Sequence, residues 1–109
     1  MMTYVDFLTK VPLFSELDEG ELHQLASVVR EQHYKKHTTI VHVDDPGSSL
    51  YILKSGLVKI TIEDQHGDEM ILRILYPTDF FGEMSLLDGM PRSATVTTLE
   101  VSAVLSLAR

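Results

Sequence analysis

Cysteine is missing from this 109-residue chain, so neither a disulfide framework nor a thiolate metal site can form. Basic residues are few: nine Lys and Arg stand against sixteen Asp and Glu, a formal net charge of −7. A nucleic-acid surface needs clustered cations, and the densest cluster here is the pair Lys35–Lys36. The domain alone is therefore not expected to hold nucleic acid. The same imbalance opposes any anionic ligand at long range, so an anion site has to be built locally. Long apolar runs are lacking too, and the N-terminus "MMTYVDFLTK" has neither the basic start nor the apolar stretch of a signal peptide. The expectation is a cytoplasmic protein with no membrane partner. Internal repeats, low-complexity tracts and linkers are also absent, which points to a single domain over residues 1–109.

What is present is an ordinary globular balance, 44% hydrophobic and 23% charged residues, enough for a modest core. Residues 3–10 read as a short helix with Tyr4, Phe7 and Leu8 on one side. "VPLFSEL" (11–17) breaks it at Pro12, as a turn packed by Leu13, Phe14 and Leu17. Asp18 with Glu21 forms a capping-box pattern for a second helix to about Val29, on which Leu22, Leu25, Ala26 and Val29 recur at helical spacing. From Arg30 the period changes. "TTIVHV" (38–43), "SLYILKS" (49–55), "LVKITIE" (57–63) and "EMILRIL" (69–75) are short β-branched or apolar runs. "DDPGSS", Ser55–Gly56, "DQHGD" and "YPTD" separate them as turns. Val58, Ile60 and Ile62 alternate with Lys59, Thr61 and Glu63, as in a strand buried on one face. Residues 93–109 supply two more strands around a turn near Leu99–Glu100. Many short strands after helices confined to the N-terminus indicate a mainly β fold, a sandwich or barrel with a helical appendage.

The chemistry concentrates in "FFGEMSLLDGMPRSATV" (80–96). An apolar strand ends at Phe80–Phe81, and Gly82 lets the backbone turn or approach a ligand closely. "EMSLL" is long enough for one helical turn, whose unpaired N–H groups favour an anion. The loop then returns to Pro91–Arg92, where a guanidinium fork can complete a phosphate cradle. Glu83, acceptor-only when ionised, suits a sugar hydroxyl beside the phosphate. Together these residues describe a site for a phosphorylated sugar.

The segment resembles the phosphate-binding cassette of cyclic-nucleotide-binding domains: F-G-E, a small residue, two apolar residues, a loop, then P-R-S/T/A-A-T. Phe81, Gly82, Glu83, Ser85, Leu86, Leu87, Pro91, Arg92, Ser93, Ala94 and Thr95 fill every position. "VPLFSEL", "DDPGSSLYILKSGLVKI" and "GDEMILRIL" are similar to the helical lead-in and strands of bacterial members, nearest the catabolite-activator class. The resemblance implies a double-stranded β-helix, a jelly-roll-like β-roll over residues 30–109, behind an N-terminal helical segment, 1–29. It implies a regulatory, non-enzymatic sensor of cAMP or cGMP, with no further cofactor, acting on an attached or partner effector such as a transcription regulator. Glu83 would hold the ribose 2′-hydroxyl, Arg92 the cyclic phosphate, and the backbone of Gly82, Met84 and Ser85 the remaining oxygens. Ser93 would add a hydroxyl near phosphate or purine, with Phe81 and Ala94 flanking the cassette. Ile60, Leu72, Arg73 and Leu75 would face the base. Arg73 departs from the small or apolar residue expected there, and either stacks on a purine or projects outside. Helices that close over the base in the family would lie beyond Arg109 and are absent from this chain.

Other readings bear on the same residues. Glu83 and Arg92 could pair with each other. The fold could serve as a ligand-free interaction or dimerisation module, and a homodimer is compatible with either reading. A metal-binding enzyme of cupin type is disfavoured: His33, His37, His42 and His66 fall in different strands and turns, with no His-x-His pair, and His23 stands alone on a helix. Met84 and Met90 read as gap-filling packing, and Gly56 and Gly67 as turn glycines.

Overall fold

The computed structural model describes residues 3–41, 50–82 and 94–107. Two helices come first: α1, Tyr4–Thr9, and α2, Glu19–Val28, joined through a 3-10 turn at Pro12–Phe14. Both helices start with reciprocal capping boxes. Asp6 N–H donates to Thr3 Oγ1 and Thr3 N–H to Asp6 Oδ2, each at 3.1 Å. At α2, Glu21 N–H donates to Asp18 Oδ1 at 2.8 Å and Asp18 N–H to Glu21 Oε1 at 3.1 Å.

The strands are β1 (Arg30–Tyr34), β2 (Thr39–Val41), β3 (Leu50–Ser55), β4 (Val58–Glu63), β5 (Glu69–Leu75), β6 (Phe80–Gly82), β7 (Thr95–Thr98) and β8 (Ser102–Leu107). They form two antiparallel four-stranded sheets among the described residues, ordered β1-β8-β3-β6 and β2-β7-β4-β5. This is the mainly β, jelly-roll-like arrangement expected, with its helices at the N-terminus.

Alternation along each strand divides the core in two. Leu53 and Val104 of the first sheet and Phe81 at its edge face Val58, Ile60, Leu75 and Val96 of the second, with Ala94 in the same cluster. The other face of the first sheet offers Ile52 and Leu105 to Phe7, Leu8, Val11 and Leu22 of the helical segment. The helices therefore cover the outside of one sheet, and the roll keeps a separate interior.

Several expectations change in detail. The polar run of β1 is a strand that the sequence pattern did not single out. It pairs with β8 from Arg30↔Ser106 to Tyr34↔Ser102. Leu13 does not pack the first turn; it is 40% exposed, while Phe14 and Leu17 lie against the helical core. Thr61, placed on the water side by alternation, is buried. At that point β4 and β5 shift register: Ile60 pairs with Arg73 and Thr61 with Ile71, leaving Leu72 as the extra residue of a bulge. The turn glycines hold: Gly56 and Gly67 have φ of 100° and 82°.

Candidate functional site

The strand leading to the cassette is positioned by β3 and the turn before it. Ile52 pairs with Phe80, Tyr51 with Phe81 and Leu50 with Gly82. The Tyr51 and Phe81 rings stack with centroids 5.2 Å apart and planes inclined by 15°. The preceding turn is closed by Asp79 N–H donating to the Tyr76 carbonyl and by Tyr76 N–H donating to Asp79 Oδ2, both at 2.9 Å. It is tied to β3 by Thr78 N–H to the Leu53 carbonyl, 2.8 Å, and Leu53 N–H to the Asp79 carbonyl, 2.9 Å.

Glu83, Met84, Ser85, Arg92 and Ser93 lie outside the described residues, as do Pro91, the expected helical turn "EMSLL" and His42. What the structure places is the pair of anchors on either side. Phe81 ends the first sheet at 1% exposure, and Ala94, at 5%, opens the way into β7 of the second. Both belong to the interior cluster that also contains Ile60 and Leu75. The described residues on either side of 83–93 thus lead out of one sheet and into the other, and Phe81 and Ala94 share one core.

Of the residues expected to face a base, Ile60 and Leu75 are buried in that cluster. Arg73 pairs with Ile60 and stands two residues before Leu75, in the row that faces the interior, yet its side chain is exposed. No carboxylate among the described residues pairs with it. Leu72, at the bulge, is 42% exposed. Tyr34 and Tyr51, not anticipated in the site, pack against the interior cluster. Burial and the neighbouring Tyr51 raise the Tyr34 hydroxyl pKa above the usual phenol value. The inward direction of Tyr51 was available from alternation: it stands two residues before Leu53 and shares its face.

Among the described residues, a cluster of charged side chains lies elsewhere, around Glu31. Glu31 Oε1 accepts from Tyr4 O–H and from Lys54 Nζ, each at 2.9 Å, and Glu31 Oε2 lies 2.7 Å from His33 Nε2. The Lys54 bond above all, with Tyr4 adding to it against the opposing effect of burial, holds the Glu31 carboxyl below its usual range. The bond to Glu31 raises the Tyr4 hydroxyl in turn. No group of three or more metal-ligating side chains gathers among the described residues. His23 lies 3.8 Å from Glu19, and His33 is engaged with Glu31.

Comparison with known proteins agrees with this geometry. The model of the cyclic nucleotide-binding domain matches residues 31–109. The regulatory subunit of a cAMP-dependent protein kinase from Dictyostelium discoideum is 35% identical over 109 residues, covering 97% of this chain and 33% of that protein. A cGMP-dependent protein kinase of Drosophila melanogaster, isozyme 2 forms cD5/T2, is 36% identical over 94 residues, 85% of this chain and 10% of the kinase. Among solved structures, the Thermus thermophilus catabolite activator protein superposes with a TM-score of 0.78 at 36% identity, over 90% of this chain and 46% of that one. The chain spans a third or less of the two kinase-related proteins. Fold, interior anchors, cassette sequence and family match converge: this chain belongs to the cyclic nucleotide-binding domain family.

Proposed function

We propose that the chain binds a cyclic purine nucleotide between its two sheets and regulates an attached or partner effector. The observation that carries this is the burial of Phe81 and Ala94, which flank residues 83–93 in the sequence, in the cluster that holds Ile60 and Leu75. In this reading the cassette residues that follow Phe81 and precede Ala94 supply the phosphate-binding groups. Arg92 supplies the guanidinium for the cyclic phosphate, the Gly82, Met84 and Ser85 backbone supplies N–H donors, and Glu83 accepts from the ribose 2′-hydroxyl. Ser93 adds a hydroxyl beside the phosphate. Nothing in this arrangement calls for a further cofactor or for catalysis.

Arg73 supports a finer reading of the base. A guanidinium fork matches the adjacent O6 and N7 acceptors of guanine, whereas adenine puts a donor where guanine has O6. Its register beside the buried Ile60 supports that role. We therefore favour cGMP over cAMP. For the output, likeness to kinase regulatory subunits supports control of a kinase. Likeness to the catabolite activator supports control of transcription, with DNA contacted by another part of such a protein.

Calorimetric titration of the parent, Arg92→Ala and Arg92→Lys with cGMP and cAMP tests the proposal. Binding by the parent should weaken by about 2–5 kcal/mol in the Ala variant, and the Lys variant should also lose affinity because an ammonium lacks the fork. No binding by the parent would leave a ligand-free interaction module on the same fold.

A further inference from the structure

Ile60 and Arg73 are direct partners across β4 and β5, on the face toward the roll interior, yet Ile60 is 1% exposed and Arg73 is exposed. The next pair along that face, Val58 and Leu75, is fully buried on both strands. What lies beside Arg73 and not beside Leu75 is the bulge. The ladder runs Val58↔Leu75, Lys59↔Ile74 and Ile60↔Arg73, skips Leu72, and resumes as Thr61↔Ile71, Ile62↔Met70 and Glu63↔Glu69. Lys59 Nζ, 2.7 Å from Glu69 Oε2, straps the two halves together. Without Leu72 all of these pairs could keep their register, so the pairing itself does not need that residue. A bulge bends its strand, raises the local twist and re-aims the side chains next to it. In an unbent ladder Arg73 would stand over the core beside Ile60, where a guanidinium without a partner is costly. Because β5 is the edge of its sheet among the described residues, a bend there leads toward solvent.

We infer that the extra residue Leu72 is a positioning residue for base recognition: its bulge turns Arg73 out of the core-facing row and leaves the guanidinium free to meet a purine edge. The backbone insertion does this, not the leucine side chain, which is 42% exposed. For its selectivity arm the inference rests on the nucleotide-binding reading with Arg73 as reader of guanine. The re-aiming itself is measurable without ligand.

The test deletes Leu72 from the parent and from Arg73→Leu, with Leu72→Ala as the variant that keeps the extra residue. Urea unfolding is measured without nucleotide, and the cGMP:cAMP affinity ratio by competition titration. With the bulge gone Arg73 is pressed against the core, so Arg73→Leu should raise the urea midpoint of the deleted chain by ~0.5 M or more. In the undeleted chain the same substitution should shift it by no more than ~0.2 M. Should the deletion alone fail to fold, Arg73→Leu should restore folding; failure of both would show that the ladder needs Leu72 and overturn the inference. The parent should prefer cGMP on the order of tenfold. Deletion should bring that ratio to within about threefold of parity, with no further fall on adding Arg73→Leu, whereas Leu72→Ala should keep it. A preference that survives deletion, falls again with Arg73→Leu or is lost in Leu72→Ala would overturn the positioning role and leave the nucleotide reading intact. No nucleotide binding by the parent would overturn both, and equal urea shifts in the two backgrounds would overturn the re-aiming.

Discussion

Thr98 shows how one side chain can secure a connection between strands. It is 0% exposed; its hydroxyl accepts from Thr38 N–H and donates to the Lys35 carbonyl, both at 2.7 Å. Its own backbone pairs with His37 N–H and the Thr38 carbonyl. Valine has the same shape but would leave a buried N–H without an acceptor. Thr98→Val should cost about 1–3 kcal/mol in urea unfolding, and a loss under 0.5 would mean that water or a shifted turn replaces the hydroxyl. Two residues of the proposed site invite ligand-side tests. Glu83 should distinguish ribose from deoxyribose: 2′-deoxy-cGMP should bind the parent more weakly by roughly 1–3 kcal/mol, while Glu83→Ala should bind both forms about equally. Arg73→Ala should lower cGMP affinity by about 1–3 kcal/mol and leave cAMP nearly unchanged. Equal losses for both nucleotides would assign Arg73 to the phosphate or to the fold.

At the scale of elements, the β3–β4 turn and the seat of α1 make different demands. Gly56 has φ 100°, and an added Cβ would clash with Ser102 Oγ and come within 2.7 Å of Ser102 Cα. Gly56→Ala should therefore destabilise by at least ~2 kcal/mol, from backbone strain and overpacking together. The seat of α1 is ionic: Glu31 joins Tyr4 of α1 to Lys54 of β3. Its folded pKa is depressed below the usual 4.5, so its contribution is present above that value and is lost as pH falls through the depressed one. Urea unfolding of the parent and Glu31→Gln should differ by about 1–2 kcal/mol near pH 7 and converge on acidification below pH 4.5. Tyr4 works in the opposite sense, its raised pKa favouring the folded state below 10.0 and withdrawing that support as alkali ionises it.

The same elements explain what the sequence made legible. The capping box at Asp18 and the alternation of Val58 and Ile60 carry their structure locally, so helices and most strands could be anticipated. β1 could not, because "REQHY" has no apolar alternation. Its partner β8 is distant in the chain, and long-range pairing makes it a strand. Thr61 departs from the alternation of β4, being buried beside Ile60, and no residue type announces either that or the bulge at Leu72 in the paired β5. Cassette residues were recognisable from residue types alone, whereas the Tyr51–Phe81 stack depends on β3–β6 register.

For the whole molecule, two cores share one sheet. The helical segment closes its outside, and the interior between the sheets receives Phe81 and Ala94, the neighbours in sequence of residues 83–93. An excess of acidic residues gives no general attraction to a phosphate, so binding has to come from the local cradle around Arg92. The most direct test is the thermal unfolding midpoint with and without millimolar cGMP and cAMP, with the open-chain 5′-monophosphates as controls. At a hundred times the dissociation constant, a bound ligand adds about 2.7 kcal/mol, which should raise the midpoint by roughly 10 °C or more in a domain of this size. The account predicts such a rise for a cyclic nucleotide, larger for cGMP, absent for the open-chain controls and abolished in Arg92→Ala. No rise with either cyclic nucleotide, or an equal rise in Arg92→Ala, would contradict it.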